Sequence, residues 1–223
     1  MIEIIATTID DATQIQAGGA NRIELISALS EGGLTPSYGL IQEVISRVSI
    51  PVNVMIRPHS KSFIYTDDEI ELMKRDIAIA RDLGANGVVL GVLTQTNVID
   101  ERKLESLLAS CQGLEVTFHR AIDETDVVAS VKKLAEYKEI TTILTSGGLA
   151  APIQENSEII KEMMAYSRHI NILLGGGMTS QNLSAVLKQT GAGHVHFGSS
   201  VRVDDAVDKD KVAALVNEMK KML

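Results

Sequence analysis

The chain has no tryptophan, one cysteine and four prolines, and aromatic residues make up only 3% of its 223 positions. A core built on aromatic plates is therefore excluded. It has to come from Ile, Val, Leu, Ala and Met, a composition that suits parallel strands buried on both faces. The single cysteine, Cys111, excludes an internal disulfide framework and fits a reducing compartment. No apolar run reaches the roughly 20 residues that a bilayer-spanning helix requires. The opening MIEIIATTIDD is too short and too acidic to be a signal peptide. A basic surplus is missing as well, with 21 Lys and Arg against 29 Asp and Glu, a net charge of −8 and a pI near 5.1. That balance argues against a nucleic-acid or anionic-membrane partner. A cytoplasmic protein with neither partner is expected.

What is present is an alternation of strand and helix patterns from end to end. Strands are predicted at 2–6, 21–25, 52–56, 87–90, 114–118, 141–144, 171–174 and 194–197. Helices are predicted near 12–18, 38–48, 67–83, 101–110, 127–137, 155–166, 181–189 and 208–222. Thr66-Asp67-Asp68-Glu69 has the form of a capping box, and Thr35-Pro36 that of an N-cap followed by a proline at the first helical position. Glycines at 18–19, 84 and 191 mark helix ends. The phrases AGGANRIEL, LGANGVVLG and TGAGHVHFG echo one another where a helix gives way to a strand. Eight such units, with no linker or composition shift, predict one domain over residues 1–223, an α/β single (β/α)8 TIM barrel. An open doubly wound sheet is the alternative, but no GxGxxG follows the first strand.

In a barrel whose apolar strand residues face the helices, alternate residues face inward. By that parity the inward set includes Glu3, Arg22, Glu24, Asn53, Arg57, Thr117, His119, His194 and His196. Such an interior is far more polar than a filling of branched aliphatics. It reads either as a neutralised network, with Glu3 and Glu24 against Arg22 and Arg57, or as a functional pocket. Glu24, Arg57 and His119 fall near the C-terminal ends of strands two, three and five, where barrel chemistry sits, and are the catalytic candidates. His119 has the side chain whose ordinary pKa, near 6.5, suits acid–base work. Glu24 would orient it or act beside it, Arg57 would hold an anionic group, and Arg120, of opposite parity, would tie to Asp123 at the rim.

Strand seven runs into Gly175-Gly176-Gly177 and strand eight into Gly198-Ser199-Ser200. Loops in these two units are the recurrent phosphate site of the barrel fold. Gly176, Gly177, Ser199 and Ser200 are therefore candidates for an anion cradle, with Ser146 and Gly147 after strand six on the same rim. Glu31, in the loop after strand two, overhangs the mouth, and the loop from His59 to Thr66 is long and polar enough to act as a lid. His194-x-His196 puts two imidazoles on one strand face, as a metal site requires, without an evident third ligand. Cys111 belongs to the fourth helix region, and the eight methionines show no M-x-x-M clustering.

At GANRIEL, EGGLTPS, VMIRP, TFHRAID and LTSGG the chain resembles the copper homeostasis protein CutC family over nearly its whole length. The resemblance implies a TIM barrel, a cytoplasmic location, self-association as a dimer or tetramer, and copper as the associated metal. It also implies that Glu24, Glu31, Arg57, His119, Arg120, Asp123 and Ser146 are shared polar residues. In relatives with proposed copper-binding cysteines, the corresponding positions here hold Ile26 and Phe197. Three functions stay open. One is a site for a small anionic, phosphorylated metabolite, with an isomerisation or lyase step. The others are direct copper(I) binding or trafficking, and a non-catalytic oligomeric barrel.

Overall fold

A computed structural model describes residues 1–222. Eight parallel strands close into a barrel in sequence order: β1 (Ile2–Ala6), β2 (Arg22–Leu25), β3 (Val52–Met55), β4 (Gly87–Leu90), β5 (Glu115–Phe118), β6 (Ile140–Thr145), β7 (Asn171–Leu174) and β8 (His194–Phe197). Closure is made by β1, which pairs β2 on one side and β8 on the other, with Glu3 opposite both Arg22 and His196. The helices that cover the barrel are α1 (Ile9–Ala17), α2 (Tyr38–Arg47), α3 (Asp67–Asp82), α4 (Glu101–Leu108), α5 (Val127–Leu134), α6 (Ser157–Tyr166), α7 (Ser180–Thr190) and α8 (Lys209–Met222). No described helix is long and apolar enough to cross a membrane. The predicted barrel is thus the observed one.

The layers follow from the alternation in each strand. Outward residues such as Ile4, Ile23, Val54, Val88, Val116 and Phe118 join helix residues such as Ile15, Val44 and Ile77 in the main core. Inside the barrel a small separate cluster of Ile5, Ile26, Met55 and Val89 lies near the C-terminal mouth. Below it the interior is polar.

Local signals set most boundaries. Thr66 and Glu69 form the expected capping box on α3. The Thr35-Pro36 expectation fails. Helix α2 starts at Tyr38, with Ser37 accepting from the Leu40 N–H. Thr35 is instead held by β3, its hydroxyl accepting from the Arg57 N–H at 2.9 Å and its own N–H donating to the Arg57 carbonyl. The Thr35 hydroxyl is thus engaged by the backbone just after β3, and Ser37, next to the first turn, caps the helix. An antiparallel hairpin of β9 (Arg202–Val203) and β10 (Ala206–Val207) before α8 has no counterpart in the predicted elements. Buried Asp11 holds it, accepting from Arg202 Nη2 and the Val207 N–H, each at 3.0 Å.

Candidate functional site

The C-terminal mouth of the barrel opens into a cavity of about 390 Å³. Nine of the twelve predicted site residues line it: Glu24 from β2, Glu31, Arg57, His119 and Arg120 from the following loops, and Gly176, Gly177, Ser199 and Ser200 from the last two turns. Asp123, Ser146 and Gly147 do not.

His119 ends β5 and starts a short 3-10 turn, Arg120–Glu124. Its Nδ1 accepts from the Ala121 N–H at 3.2 Å, so Nδ1 carries the lone pair and a neutral ring carries its proton on Nε2. Burial, reinforced by the Arg57 charge, drives its pKa down to about 3. The expected acid–base catalyst is therefore a neutral N–H donor at physiological pH. Its Nε2 is buried and has no hydrogen-bond partner among the described residues. Phe63 packs on both His119 and Arg57, its ring tilted against the imidazole at 4.8 Å between centroids and 4.6 Å from the Arg57 guanidinium carbon. The loop expected to be a polar lid thus contributes an apolar wall, and its Phe63 carbonyl accepts from the Leu93 N–H.

Arg57 is largely committed to backbone. Its Nη1 donates to the carbonyls of Glu31 and Gly33 at 2.9 and 3.2 Å, which fixes the loop after β2, while Nε stays buried and unpartnered. The exposed Glu31 meets Arg57 through its carbonyl.

The expected partnership of Glu24 with His119 is replaced by another. His196 Nε2 stands 3.8 Å from Glu24 Oε2, and its Nδ1 is 2.7 Å from Glu3 Oε1. The other Glu3 oxygen accepts from Arg22 Nε at 2.5 Å. The neutralised network is thus half as expected: Glu3 pairs Arg22, but Glu24 does not pair Arg57. Burial lifts the Glu24 carboxyl to about 7, its closeness to Glu3 adding to the rise and His196 and Arg22 opposing it. Burial works against the charge on Glu3 too, but Arg22 and His196 outweigh it and hold that carboxyl below the ordinary range. His196 is buried yet held above its ordinary value by Glu24 and Glu3. His194, half-buried, lies on the side of the chain's N-terminal amine and is pushed down by burial, by that amine and by Arg22. The His194–His196 pair is therefore not the cluster; Glu3 and Glu24 complete it with His196. Parity had placed all three inward, but no spacing shows that β8 closes onto β1.

Asp123 is spent on structure. It is buried and accepts from Arg120 Nε at 2.8 Å, Thr145 Oγ1 at 2.5 Å, the Ser146 N–H at 3.1 Å and the Gly148 N–H at 3.3 Å. Ser146 is 2.8 Å from the same carboxylate and accepts from Arg120 Nη2 at 3.3 Å. Gly147 packs on Asn156 of the loop before α6. Asp123 and Ser146 therefore aim Arg120 instead of lining the mouth, and Gly147 serves the fold of the same turn. The guanidinium so held lies on the β7 turn: a Cβ at Gly176, which has φ +77°, would stand 2.5 Å from Arg120 Cζ. Ser200 Oγ donates to the Met178 carbonyl at 3.0 Å, tying the β8 turn to the β7 turn. Helix α7 begins beside them, with Thr179 and Asn182 forming a capping box.

Comparison with known proteins agrees with this architecture. Residues 1–201 match the model of the CutC family. The copper homeostasis protein cutC homolog of Homo sapiens is 42% identical over 198 residues, covering 88% of this chain and 72% of that protein. A CutC crystal structure from Streptococcus agalactiae superposes with a TM-score of 0.84 at 36% identity, over 91% of this chain and 99% of that one. The phosphoribosyl anthranilate isomerase of Thermococcus kodakaraensis shares the fold alone, with a TM-score of 0.63 at 15% identity over 97% of this chain and 96% of that one.

Proposed function

This chain belongs to the CutC family, and we propose that its barrel mouth binds a small anionic, phosphorylated metabolite. One observation carries the reading: the Arg120 guanidinium, fixed by Asp123 and Ser146, lies directly on the Gly176 backbone, beside the α7 N-terminus and the Ser199–Ser200 turn. A planar cation, backbone amides and a helix N-terminus converge there, and each favours an anion. Deeper in the cavity, the neutral Nε2–H of His119 is a donor without an acceptor, suited to an oxygen of the ligand's other end. Leu29, Met55 and Phe63 supply apolar wall between the two. Polarisation of a ligand oxygen by a neutral imidazole suits an isomerisation or lyase step.

Direct copper(I) binding, the reading suggested by the relatives' name, finds no support in the donor set. Copper(I) favours thiolate and thioether sulfur. Cys111 is buried outside the mouth, its thiol 3.3 Å from the Leu107 carbonyl and pushed by burial up to about 12. Ile26 fills the inner apolar cluster and Phe197 the layer beneath the helices. Met55 and Met178 are the sulfur groups among the described residues lining the cavity, so the residues do not fit copper(I).

The test is thermal denaturation against a panel of phosphorylated metabolites. A ligand at a hundredfold over its Kd adds about 2.7 kcal/mol, or roughly 5–10 °C in a chain of this size. Arg120→Ala is expected to cut the shift to about half or less. No shift from any compound at millimolar concentration overturns the reading.

A further inference from the structure

The anion reading leaves the floor of the cavity unused. Three side chains meet there from strands adjacent in the closed barrel: Glu3 of β1, Glu24 of β2 and His196 of β8. One ligand-type atom from each lies within 4.8 Å of the other two. Glu24 and His196 line the cavity, whereas Glu3 is fully buried behind them. We infer that His196 Nε2 and the Glu24 carboxylate form a site for a divalent first-row transition cation of the zinc type, with Glu3 orienting the imidazole from behind.

The assignment rests on what each atom is free to do. Glu3 is fully engaged, with Arg22 Nε at one oxygen and His196 Nδ1 at the other. In the neutral ring, a carboxylate on Nδ1 puts the one proton there and leaves the lone pair on Nε2, the arrangement by which outer carboxylates prepare metal-binding histidines. Glu3 and His196 are also register partners across β1 and β8, so backbone pairing sets the two side chains beside each other. His196 Nε2 lies 3.8 Å from Glu24 Oε2, too far for a hydrogen bond. Two ligands on a tetrahedral ion, each at ~2.1 Å, stand about 3.4 Å apart. A contraction of about half an ångström closes the site. Glu24 Oε1 has no hydrogen-bond partner among the described residues, although Glu24 is only 2% exposed. A buried carboxylate oxygen left bare is costly, and a cation satisfies it.

Charge points the same way. Glu3 and Arg22 offset each other, which leaves Glu24 as the carboxylate on the floor whose charge a bound cation would balance. A divalent ion turns that floor to a net positive charge facing the cavity, and its remaining coordination positions open to water or a ligand oxygen. One imidazole and one carboxylate are borderline-to-hard donors, which select a divalent ion over copper(I).

The experiment uses the full chain, stripped with a chelator and then dialysed against zinc, with metal content and affinity measured directly. One zinc per chain is expected. Glu24→Gln, which keeps the shape and removes the charge, should weaken binding by about 100-fold or more, as should His196→Gln, and loss of the outer carboxylate in Glu3→Gln by about 10–100-fold. Cys111→Ser should leave affinity unchanged. Glu3→Gln strands buried Arg22, so folding is checked by circular dichroism, and a zinc-soaked wild-type crystal gives a readout free of substitution: its anomalous peak should lie between Glu24 and His196. Absence of stoichiometric zinc, undiminished affinity in Glu24→Gln, or a peak elsewhere overturns the site. Zinc bound here while no phosphorylated compound shifts the melting temperature would remove the anion reading alone.

Discussion

A Cβ on residue 91 would stand 2.5 Å from His119 Nδ1 and 2.6 Å from its Cε1, so the imidazole occupies the space that Gly91 leaves in the barrel wall. The buried ring has little room to move, because Phe63 and Phe118 also pack near it, their centroids 4.8 and 6.1 Å away. Gly91→Ala should therefore destabilise the protein by about 1–3 kcal/mol through overpacking. Most of that cost should vanish when His119→Ala is added, which chemical denaturation in a double-mutant cycle would show. Additive losses would mean that the two residues do not share the space.

The depressed pKa of His119 makes stability depend on pH in a defined window. The unfolded chain takes up this proton near pH 6.5, whereas the folded one resists it to about pH 3. The contribution is fully present above pH 6.5 and is lost as pH falls towards 3. By linkage it amounts to about 3–5 kcal/mol across the window. Urea denaturation from pH 7 to 4 should show a shallower loss in His119→Gln than in the wild type. Parallel curves would contradict a buried neutral imidazole.

Asp123 should behave as a structural keystone with a functional consequence. It anchors Arg120 and the Thr145–Gly148 turn at once. Asp123→Ala strands the buried Thr145 and Ser146 donors and leaves the partly exposed Arg120 unheld, a loss of at least about 1–3 kcal/mol. Asp123→Asn, which keeps shape and most hydrogen bonds, should fold better yet still lose anion-induced stabilisation, because Arg120 is no longer held by charge. Full stabilisation by ligand in Asp123→Asn would show that Arg120 needs no anchor.

Much of this arrangement is legible in the chain itself. Strands buried on both faces write themselves as Ile and Val runs, and their parity alone turns Glu24, Arg57, His119 and His196 inward. What parity cannot supply is which inward residues meet. Glu24 finds His196 because β8 closes onto the same strand as β2, and His119 loses its proton because Phe63 and Arg57 reach it from another unit. The polar character of Asp123 and Ser146 suggests a ligand, but their hydrogen bonds are satisfied by the β6 turn and by Arg120. The β9–β10 hairpin depends on Asp11 meeting Arg202 from the far end of the chain, a contact with no local sequence mark.

The central claim, that the mouth binds a phosphorylated anion through Arg120 and the β7 and β8 turns, is tested most directly by phosphorus NMR. Inorganic phosphate and a pentose 5-phosphate would be titrated with wild-type protein and with Arg120→Ala. Saturable line broadening by the wild type, with affinity weaker by about tenfold or more in the variant, is predicted from the loss of a charged hydrogen-bond donor worth roughly 1.5–3 kcal/mol. Absence of broadening at millimolar concentrations, or equal broadening by the two proteins, would contradict it.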